Sequence, residues 1–434
     1  MKNKKLFGTD GIRGLVNQYP VDPITMVKIG YALGQSSEMV IIGKDTRDSC
    51  DMLEHALVSG LVAMGTNVIL AGILPTPAIA MLTKMLHADF GIMISASHNH
   101  YQDNGIKLFN INGFKLSAHE EQTITKLLDN NIALPHRTTL GKVTNLHNAT
   151  SHYSNSILNS LPNRVNLSGY KIIIDCANGA AYEVAPHIFE QSQAEVIVIN
   201  DEPDGSNINH QCGVLFPETI SSAVIEHKAD LGIAFDGDAD RVILCDEKGQ
   251  IIDGEQILAT LALHTKCKRL VANVMASISF ERHLQKQGIK LFRSNVGDRH
   301  IMEYMLQNKC NLGGESSGHI ILSKYNNTSD GIMAAMQIAS IISEQHKTAS
   351  ALCHQFSPQP SILKNISIHN EVNLEDEVIQ NYILHTQQAL GENGRILIRR
   401  SGTEQVIRIL VEGPDDLHIN NIANEAIKII SNLT

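Results

Sequence analysis

The sequence predicts three related α/β domains with mixed, mostly parallel sheets, followed by a smaller C-terminal α+β domain. Three observations carry this expectation. Apolar runs of strand length alternate with helical stretches through most of the chain, the pattern of βαβ units. A short phrase recurs: Ala88-Asp89-Phe90-Gly91-Ile92 and Ala229-Asp230-Leu231-Gly232-Ile233 each open a strand as A-D-x-G-I, and each strand runs into a polar loop. A weaker echo is Asn311-Leu312-Gly313-Gly314-Glu315, which runs into SSGH. Finally, the last stretch changes character, with three strand-like runs closed by one helical segment.

Taken in order, residues 39–43 (MVIIG) and 67–70 (NVIL) read as the first strands, separated by a helical stretch. The apolar run at 92–94 is the third, and it stops at Ser95-Ala96-Ser97-His98-Asn99. Residues 171–175 (KIIID) and 195–199 (EVIVI) open the second unit, and 269–273 (RLVAN) and 289–292 (IKLF) open the third. In the last unit, 362–368, 395–398 and 406–411 read as strands and 416–430 as a helix. The expected domains are 1–150, 151–250, 251–360 and 361–434.

Composition narrows the partners. The 434 residues carry a formal net charge of -10, which disfavours bulk attraction to nucleic acid or an anionic membrane. Seven cysteines, odd in number and with no C-x-x-C pair, argue for a reducing compartment and against a zinc ribbon. MKNKK is followed by Phe7-Gly8-Thr9-Asp10 where a secretory signal needs its apolar segment. The apolar region 68–86 is broken by Gly72, Pro75 and Pro77 and carries Lys84, so it does not read as a membrane span. The expectation is a cytoplasmic protein acting on a small molecule.

The chemistry concentrates in loops. Ser97, beside His98 at the carboxyl end of a strand, lies where open α/β sheets put their reactive groups, and Lys107 follows closely. Alone, the stretch reads better as a solvated strand-to-helix loop, and the case for function rests on the other motifs. Asp236-Gly237-Asp238-Ala239-Asp240-Arg241 puts three carboxylates at alternate positions, which repel unless a cation neutralises them. An oxygen-only ligand set suits Mg2+ rather than zinc, the alternative being a solvated acidic turn. Arg399-Arg400-Ser401-Gly402-Thr403-Glu404 offers guanidinium, hydroxyl and backbone donors to a phosphate, with Arg408 as a further cation; a basic surface hairpin is the alternative. Glu315, Ser317 and His319 sit in a glycine-rich turn whose polar groups suit sugar hydroxyls, with His319 a candidate acid or base. Gly8-Thr9-Asp10-Gly11-Ile12-Arg13 either brings Arg13 to an anion or is a tight turn. No G-x-x-x-x-G-K-[ST] occurs, so an ATP-type phosphate loop is absent. A serine nucleophile, a cation site, a phosphate clamp and a sugar loop together point to phosphoryl transfer through a phosphoserine.

With ISASHN, DGDADR, GGESSGH and RRSGTE in this order over the whole length, the chain resembles the α-D-phosphohexomutases. The resemblance implies four domains around a central cleft, each giving one loop. Ser97 would carry the phosphate, and Asp236, Asp238 and Asp240 would hold one Mg2+ together with it. Arg13, Lys107 and Arg241 would stabilise the transferring group, with His98 beside the nucleophile and Lys107 a candidate acid or base. Glu315, Ser317 and His319 would read the sugar, and Arg400, Ser401, Gly402 and Thr403 would grip the phosphate that is not reacting. FGTDGIRG, residues 207–213 and Val296-Gly297-Asp298-Arg299 are most similar to the amino-sugar branch. There the reaction would be glucosamine 6-phosphate to glucosamine 1-phosphate through glucosamine 1,6-bisphosphate, feeding UDP-N-acetylglucosamine; family members are often homodimers. Phosphomannomutase or phosphoglucomutase activity on the same machinery is the near rival, and a phosphatase with Asp236 as nucleophile the distant one. His100, Gln102, Ser316 and Gln405 depart from the usual family residues, and Ser316 lies in the loop that would set sugar preference.

Overall fold

Each apolar run becomes a strand because its β-branched side chains fit a pleated, buried surface. A computed structural model describes residues 6–8, 10–128, 134, 140–161, 165–368, 372–401 and 406–433. The first sheet contains β1 (Ile12–Leu15), β2 (Met39–Lys44), β3 (Asn67–Ile73), β4 (Phe90–Ile94), β5 (Asp103–Asn110) and β6 (Val143–Asn145), in the order β1-β5-β4-β2-β3-β6. The second contains β7 (Lys171–Asp175), β8 (Glu195–Ile199), β9 (Leu231–Phe235), β10 (Val242–Asp246) and β11 (Ile251–Ile252), ordered β11-β10-β9-β7-β8. The third contains β12 (Arg269–Asn273), β13 (Lys290–Ser294), β14 (Leu312–Gly314) and β15 (Ile320–Leu322), ordered β13-β12-β14-β15. The fourth is antiparallel, with β16 (Ser361–Ser367), β17 (Arg395–Arg400) and β18 (Val406–Glu412) in the order β16-β18-β17, closed by helix Asp416–Ser431.

The repeat is structural. The blocks β5-β4-β2-β3, β10-β9-β7-β8 and β15-β14-β12-β13 have the same order, three parallel strands and then one antiparallel. The A-D-x-G-I phrase opens the third strand in two of them, and its residues have physical jobs. The aspartate tethers the neighbouring parallel strand: Asp89 Oδ2 accepts from the Met39 N–H at 3.0 Å, and Asp230 Oδ2 from the Lys171 N–H at 2.8 Å. The glycine makes room, since a Cβ at Gly91 would lie 2.0 Å from Thr83 Oγ1 and one at Gly232 2.6 Å from Val224 Cγ2, both on packed helices.

One consequence corrects the sequence reading. The loop after Ile94 is not a strand-to-helix loop. It leads into the antiparallel β5, and the other two site loops likewise sit in β9–β10 and β14–β15 hairpins. Lys107 therefore lies in β5, not in the loop, opposite Met93.

A continuous apolar core runs through the first three sheets, from Ile41 through Ile174 and Leu258 to Ile338. The C-terminal sheet has its own core of Ile396, Ile407, Ile409, Val411 and the apolar side of helix Asp416–Ser431. Among the described residues, no helix is long and apolar enough to cross a membrane.

The helix Gly331–Gln345 anchors the second loop to the third domain. Its first N–H bonds Ala239 O at 3.1 Å. Its cap, Asp330, accepts from the Met333 N–H at 2.9 Å, the Tyr153 hydroxyl at 2.8 Å and Asn326 Nδ2 at 3.2 Å. Asp330→Ala removes the cap and orphans a buried hydroxyl, so we expect a loss of about 2–4 kcal/mol in denaturant unfolding, against about 1 kcal/mol for Tyr153→Phe. Equal and negligible losses would mean that the cap does not hold this helix.

Candidate active site

The site is assembled from hairpin loops that meet. Ser97 lies in the first, fully buried, with a left-handed backbone at φ 54. Its Oγ donates to Asp236 Oδ2 at 2.6 Å, and His98 Nδ1 lies 3.4 Å away on the other side. Asp236, Asp238 and Asp240 are all 0% exposed and each presents an oxygen within 4.8 Å of the others. The tight turn does this: Gly237 and Ala239, the latter with a left-handed backbone at φ 54, are small enough for the three carboxylates to converge.

Cations surround this charge. Lys107, reaching across from β5, donates to Asp238 Oδ2 and Asp240 Oδ2 at 2.6 Å each and lies 3.3 Å from Asp10 Oδ2. Asp10 also pairs with Arg13 and Lys115, and Lys115 goes on to Asp298 Oδ2 at 2.7 Å. Burial alone would depress Lys107, but Asp10, Asp238 and Asp240 outweigh it and hold the ammonium well above the usual lysine value. Conversely, burial would raise Asp240, but Lys107 and His319 hold it well below the carboxylate range. Asp236 has no ammonium of its own. Burial first, then repulsion from Asp240 and Asp238, pushes it up to about 7. Among the described residues two oxygens remain for a ligand: Asp238 Oδ1 has no hydrogen-bond partner, and Asp240 Oδ1 meets only His319 Nε2 at 3.3 Å and Arg241 Nε at 4.0 Å.

The third loop joins the second through a bridge between Arg241 and His319, whose Nε atoms are 3.2 Å apart. Glu315 is locked. Its Oε1 accepts from Asn273 Nδ2 at 2.7 Å and the Gly297 N–H at 2.9 Å, and its Oε2 lies 3.1 Å from His319 Nδ1. Burial opposes ionisation of Glu315, yet the His319 contact and these donors bring it down to about 2. His319 lies between two carboxylates. Burial and Arg241 disfavour its charge, but Asp240 and Glu315 win and raise it to about 9. His98 has no such partner; burial, then Arg241 and Arg13, lowers it to about 3, so its ring is neutral. Ser317 is exposed, 3.2 Å from His319 Nδ1.

The fourth loop is described in part. Gly402 and Thr403 lie outside the described residues, while Ser401 bonds Val406 O through its N–H at 2.9 Å. Arg408 on β18 sits directly across from Arg399 on β17. Arg400, the next residue, points to the opposite face of the strand and donates to Val372 O. Arg399 is the one turned to the third domain, with its Nε 3.3 Å from Met275 Sδ. Burial, then Arg408, lowers its pKa, opposed by Glu315. Arg399 is matched to Arg408 only by the β17–β18 register, which no motif in the sequence reports. Asp10 was legible as a neighbour of Arg13 but not as the partner of Lys107. Asn209, whose Nδ2 donates to Ser97 O at 2.9 Å, carried no signal beyond its motif.

Comparison with known proteins agrees with this geometry. Four models of the phosphoglucomutase/phosphomannomutase family match in order: alpha/beta/alpha domain I over residues 4–134, domain II over 151–249, domain III over 253–359 and the C-terminal domain over 364–429. Phosphoglucosamine mutase of Bartonella bacilliformis is 45% identical, over 99% of this chain and 98% of that protein. Phosphoglucosamine mutase of Parvibaculum lavamentivorans is 44% identical, over 98% of each. Among solved structures, a phosphoglucomutase/phosphomannomutase family protein from Burkholderia thailandensis superposes with a TM-score of 0.82 at 22% identity, over 100% of this chain and 98% of that one. Aspergillus fumigatus N-acetylphosphoglucosamine mutase, solved with GlcNAc-6P and magnesium, superposes with a TM-score of 0.68 at 16% identity, over 99% and 96%. With all four domain models matched in sequence order and relatives at this identity over nearly the full length, the chain belongs to the phosphoglucomutase/phosphomannomutase family, the α-D-phosphohexomutases.

Proposed function

We propose that the protein interconverts glucosamine 6-phosphate and glucosamine 1-phosphate through a phosphorylated Ser97 and glucosamine 1,6-bisphosphate, in the cytoplasm and towards UDP-N-acetylglucosamine. One observation carries the chemistry: a buried serine Oγ 2.6 Å from a cluster of three buried carboxylates that, among the described residues, retains an unpartnered oxygen. The mutase relatives at 44–45% identity support the substrate.

In this reading Asp236, Asp238 and Asp240 hold one Mg2+. The fit rests on the oxygen-only donor set and on Asp238 Oδ1, a buried acceptor with no donor among the described residues. Bound there, Mg2+ supplies charge neutralisation to the phosphoryl group. The chain's own groups do the rest. Lys107, Arg13 and Arg241 bring fixed positive charge to the transferring group. In the first half-reaction a sugar hydroxyl oxygen bonds to phosphorus as the Ser97 Oγ–P bond breaks. The hydroxyl proton lost is balanced by the one Ser97 Oγ regains, where Asp236 Oδ2 accepts its hydrogen bond. The bisphosphate turns over in the cleft and the other phosphate returns to Ser97. His319, held charged between Glu315 and Asp240, orients a sugar oxygen together with Glu315 and Ser317, and the neutral His98 lies beside Ser97. Arg399 and Arg408 hold the distal phosphate with Ser401 and, from the sequence motif, Gly402 and Thr403, while Arg400, on the other strand face, contributes less. Asp236 as a hydrolytic nucleophile fits less well, because its Oδ2 is taken by Ser97 and its Oδ1 by the Arg241 N–H at 3.2 Å.

The decisive experiment is a coupled assay of Mg2+-supplied, bisphosphate-primed enzyme on glucosamine, mannose and glucose 6-phosphates, with Ser97→Ala alongside. The expected result is highest kcat/KM for glucosamine 6-phosphate and a loss of at least about 10³-fold in Ser97→Ala. Preference for a neutral sugar would move the enzyme to the sister branch, and turnover surviving in Ser97→Ala would end the phosphoserine mechanism. Calorimetry should register Mg2+ as stabilisation of about 2.7 kcal/mol at a hundredfold excess over Kd. That shift should vanish in Asp238→Asn, and its persistence would exclude this cluster as the cation site. The facing of the strand makes a further forecast. Arg399→Ala should raise KM about 10- to 100-fold, more than Arg400→Ala, since a charge-assisted hydrogen bond is worth about 1.5–3 kcal/mol; the reverse order would put the distal phosphate on the other face.

A further inference from the structure

Arg47 lies behind the Ser97 loop with a side chain that is 0% exposed. A guanidinium has five N–H donors, and here each finds an oxygen. Nε donates to Asp45 Oδ2 at 2.9 Å. One terminal nitrogen donates to His100 O at 2.6 Å and Asp103 O at 3.0 Å. The other donates to Ser97 O at 2.8 Å and Asn99 O at 2.9 Å. Four carbonyls of one loop thus converge on one planar cation. Asp45, its counter-ion, reaches the same loop from the other end: Asp45 Oδ2 accepts from Ser95 Oγ at 2.7 Å, and Ser95 Oγ accepts from the Ser97 N–H at 2.8 Å.

This brace encloses a residue that resists its own conformation. Ser97 has φ 54, in the left-handed region that a Cβ disfavours, and such a residue persists only where its surroundings over-determine it. Neither Arg47 nor Asp45 approaches the substrate side of the site through any contact of its own; both act through the loop backbone.

Resting on the reading of Ser97 as the phosphoryl carrier, we propose that Arg47 is a positioning residue, holding the loop backbone so that Ser97 Oγ stays aligned with the carboxylate cluster for transfer. Lysine cannot replace it. A lysine ammonium keeps the charge but has three donors in no plane, so it serves at most part of the set. Misplacing a reacting atom by about 1 Å costs on the order of 10²-fold in rate.

The test is Arg47→Lys, with thermal midpoint, steady-state kinetics and the single-turnover transfer rate measured per mole of phosphorylated Ser97. The expected result is a folded protein with kcat down about 10²-fold, KM within about threefold of wild type and a slowed transfer step. A wild-type transfer rate per phosphoenzyme would overturn the proposal, as would a loss explained wholly by less folded protein. Ser95→Ala removes the other arm of the brace and keeps the guanidinium, so it decides the matter if Arg47→Lys fails to fold: about a tenfold loss in transfer rate is expected, and an unchanged rate overturns the proposal. Ser97→Ala is run beside both. If it keeps turnover, the phosphoserine reading fails; if it is dead while Arg47→Lys and Ser95→Ala transfer normally, only the role of Arg47 fails.

Discussion

Three carboxylates with no solvent exposure on one short loop are the constraint on which the rest of the site depends. Taking a single carboxylate out of water costs several kcal/mol unless it is paired and hydrogen-bonded. Asp236, Asp238 and Asp240 are spaced too closely for each to find its own shell, so the protein surrounds them instead. Lys107 comes from the first domain, Arg241 from the same loop and His319 from the third domain. The compensation then propagates. Lys107 is itself buried and shares Asp10, which shares Lys115, which reaches Asp298 at the start of helix Asp298–Asn308. A line of alternating charge therefore runs from the second domain through the first to the third. Removing any member leaves a buried charge uncompensated, which is a stronger tie than the same number of exposed ion pairs.

That line also explains why the loops converge. Each comes off the third parallel strand of its unit and returns as an antiparallel strand, so its tip projects from the same end of every sheet. Two tips carry opposite charge, acid on the second and imidazolium on the third, and they meet where His319 Nε2 lies 3.3 Å from Asp240 Oδ1, beside the backbone bridge of Arg241 and His319. The first tip carries no charge on Ser97. It is drawn in by its carbonyls, which point to Arg47 behind and to Asn209 from the second domain.

How much of this was legible depends on how local the cause is. The strands at 171–175, 195–199 and 269–273 were readable to the residue, because β-branched runs bounded by polar turns specify themselves. The repeat was visible because Asp89 and Asp230 do the same local job in each unit. Ser97 and the aspartates were legible because chemistry that needs small spacers writes a short motif. The antiparallel return was missed at the first loop, since one polar segment can lead to a helix or a strand. Arg47 was missed because its partners are carbonyls, which no side-chain pattern reports, though β2 ends beside β4 and its following loop had to meet Ser97 there. The motif pointed to Arg400; the strand register, which pairs Arg399 with Arg408, adds Arg399 as a candidate because motif membership says nothing about strand face.

The attachment of the C-terminal domain differs in kind from the rest. The first three domains share one apolar core, so separating them would expose hydrocarbon to water at about 25 cal/mol for each Å². The fourth has its own core and meets the third through polar contacts. Arg395 pairs with Glu412 at 2.6 Å and donates to Val274 O at 3.0 Å, and Glu412 accepts from the Ile278 N–H at 3.1 Å. Each of these can be exchanged for a hydrogen bond to water at a net cost of only about 0.5–1.5 kcal/mol, or about 1.5–3 where a charge takes part. The attachment of the domains is thus graded. On the proposed function, the part with the shared core holds Ser97, and the domain with its own core would grip the distal phosphate. A bisphosphate turning over in the cleft, as proposed, would need a fixed reacting centre and a releasable distal grip, and the division between shared and separate cores suits both.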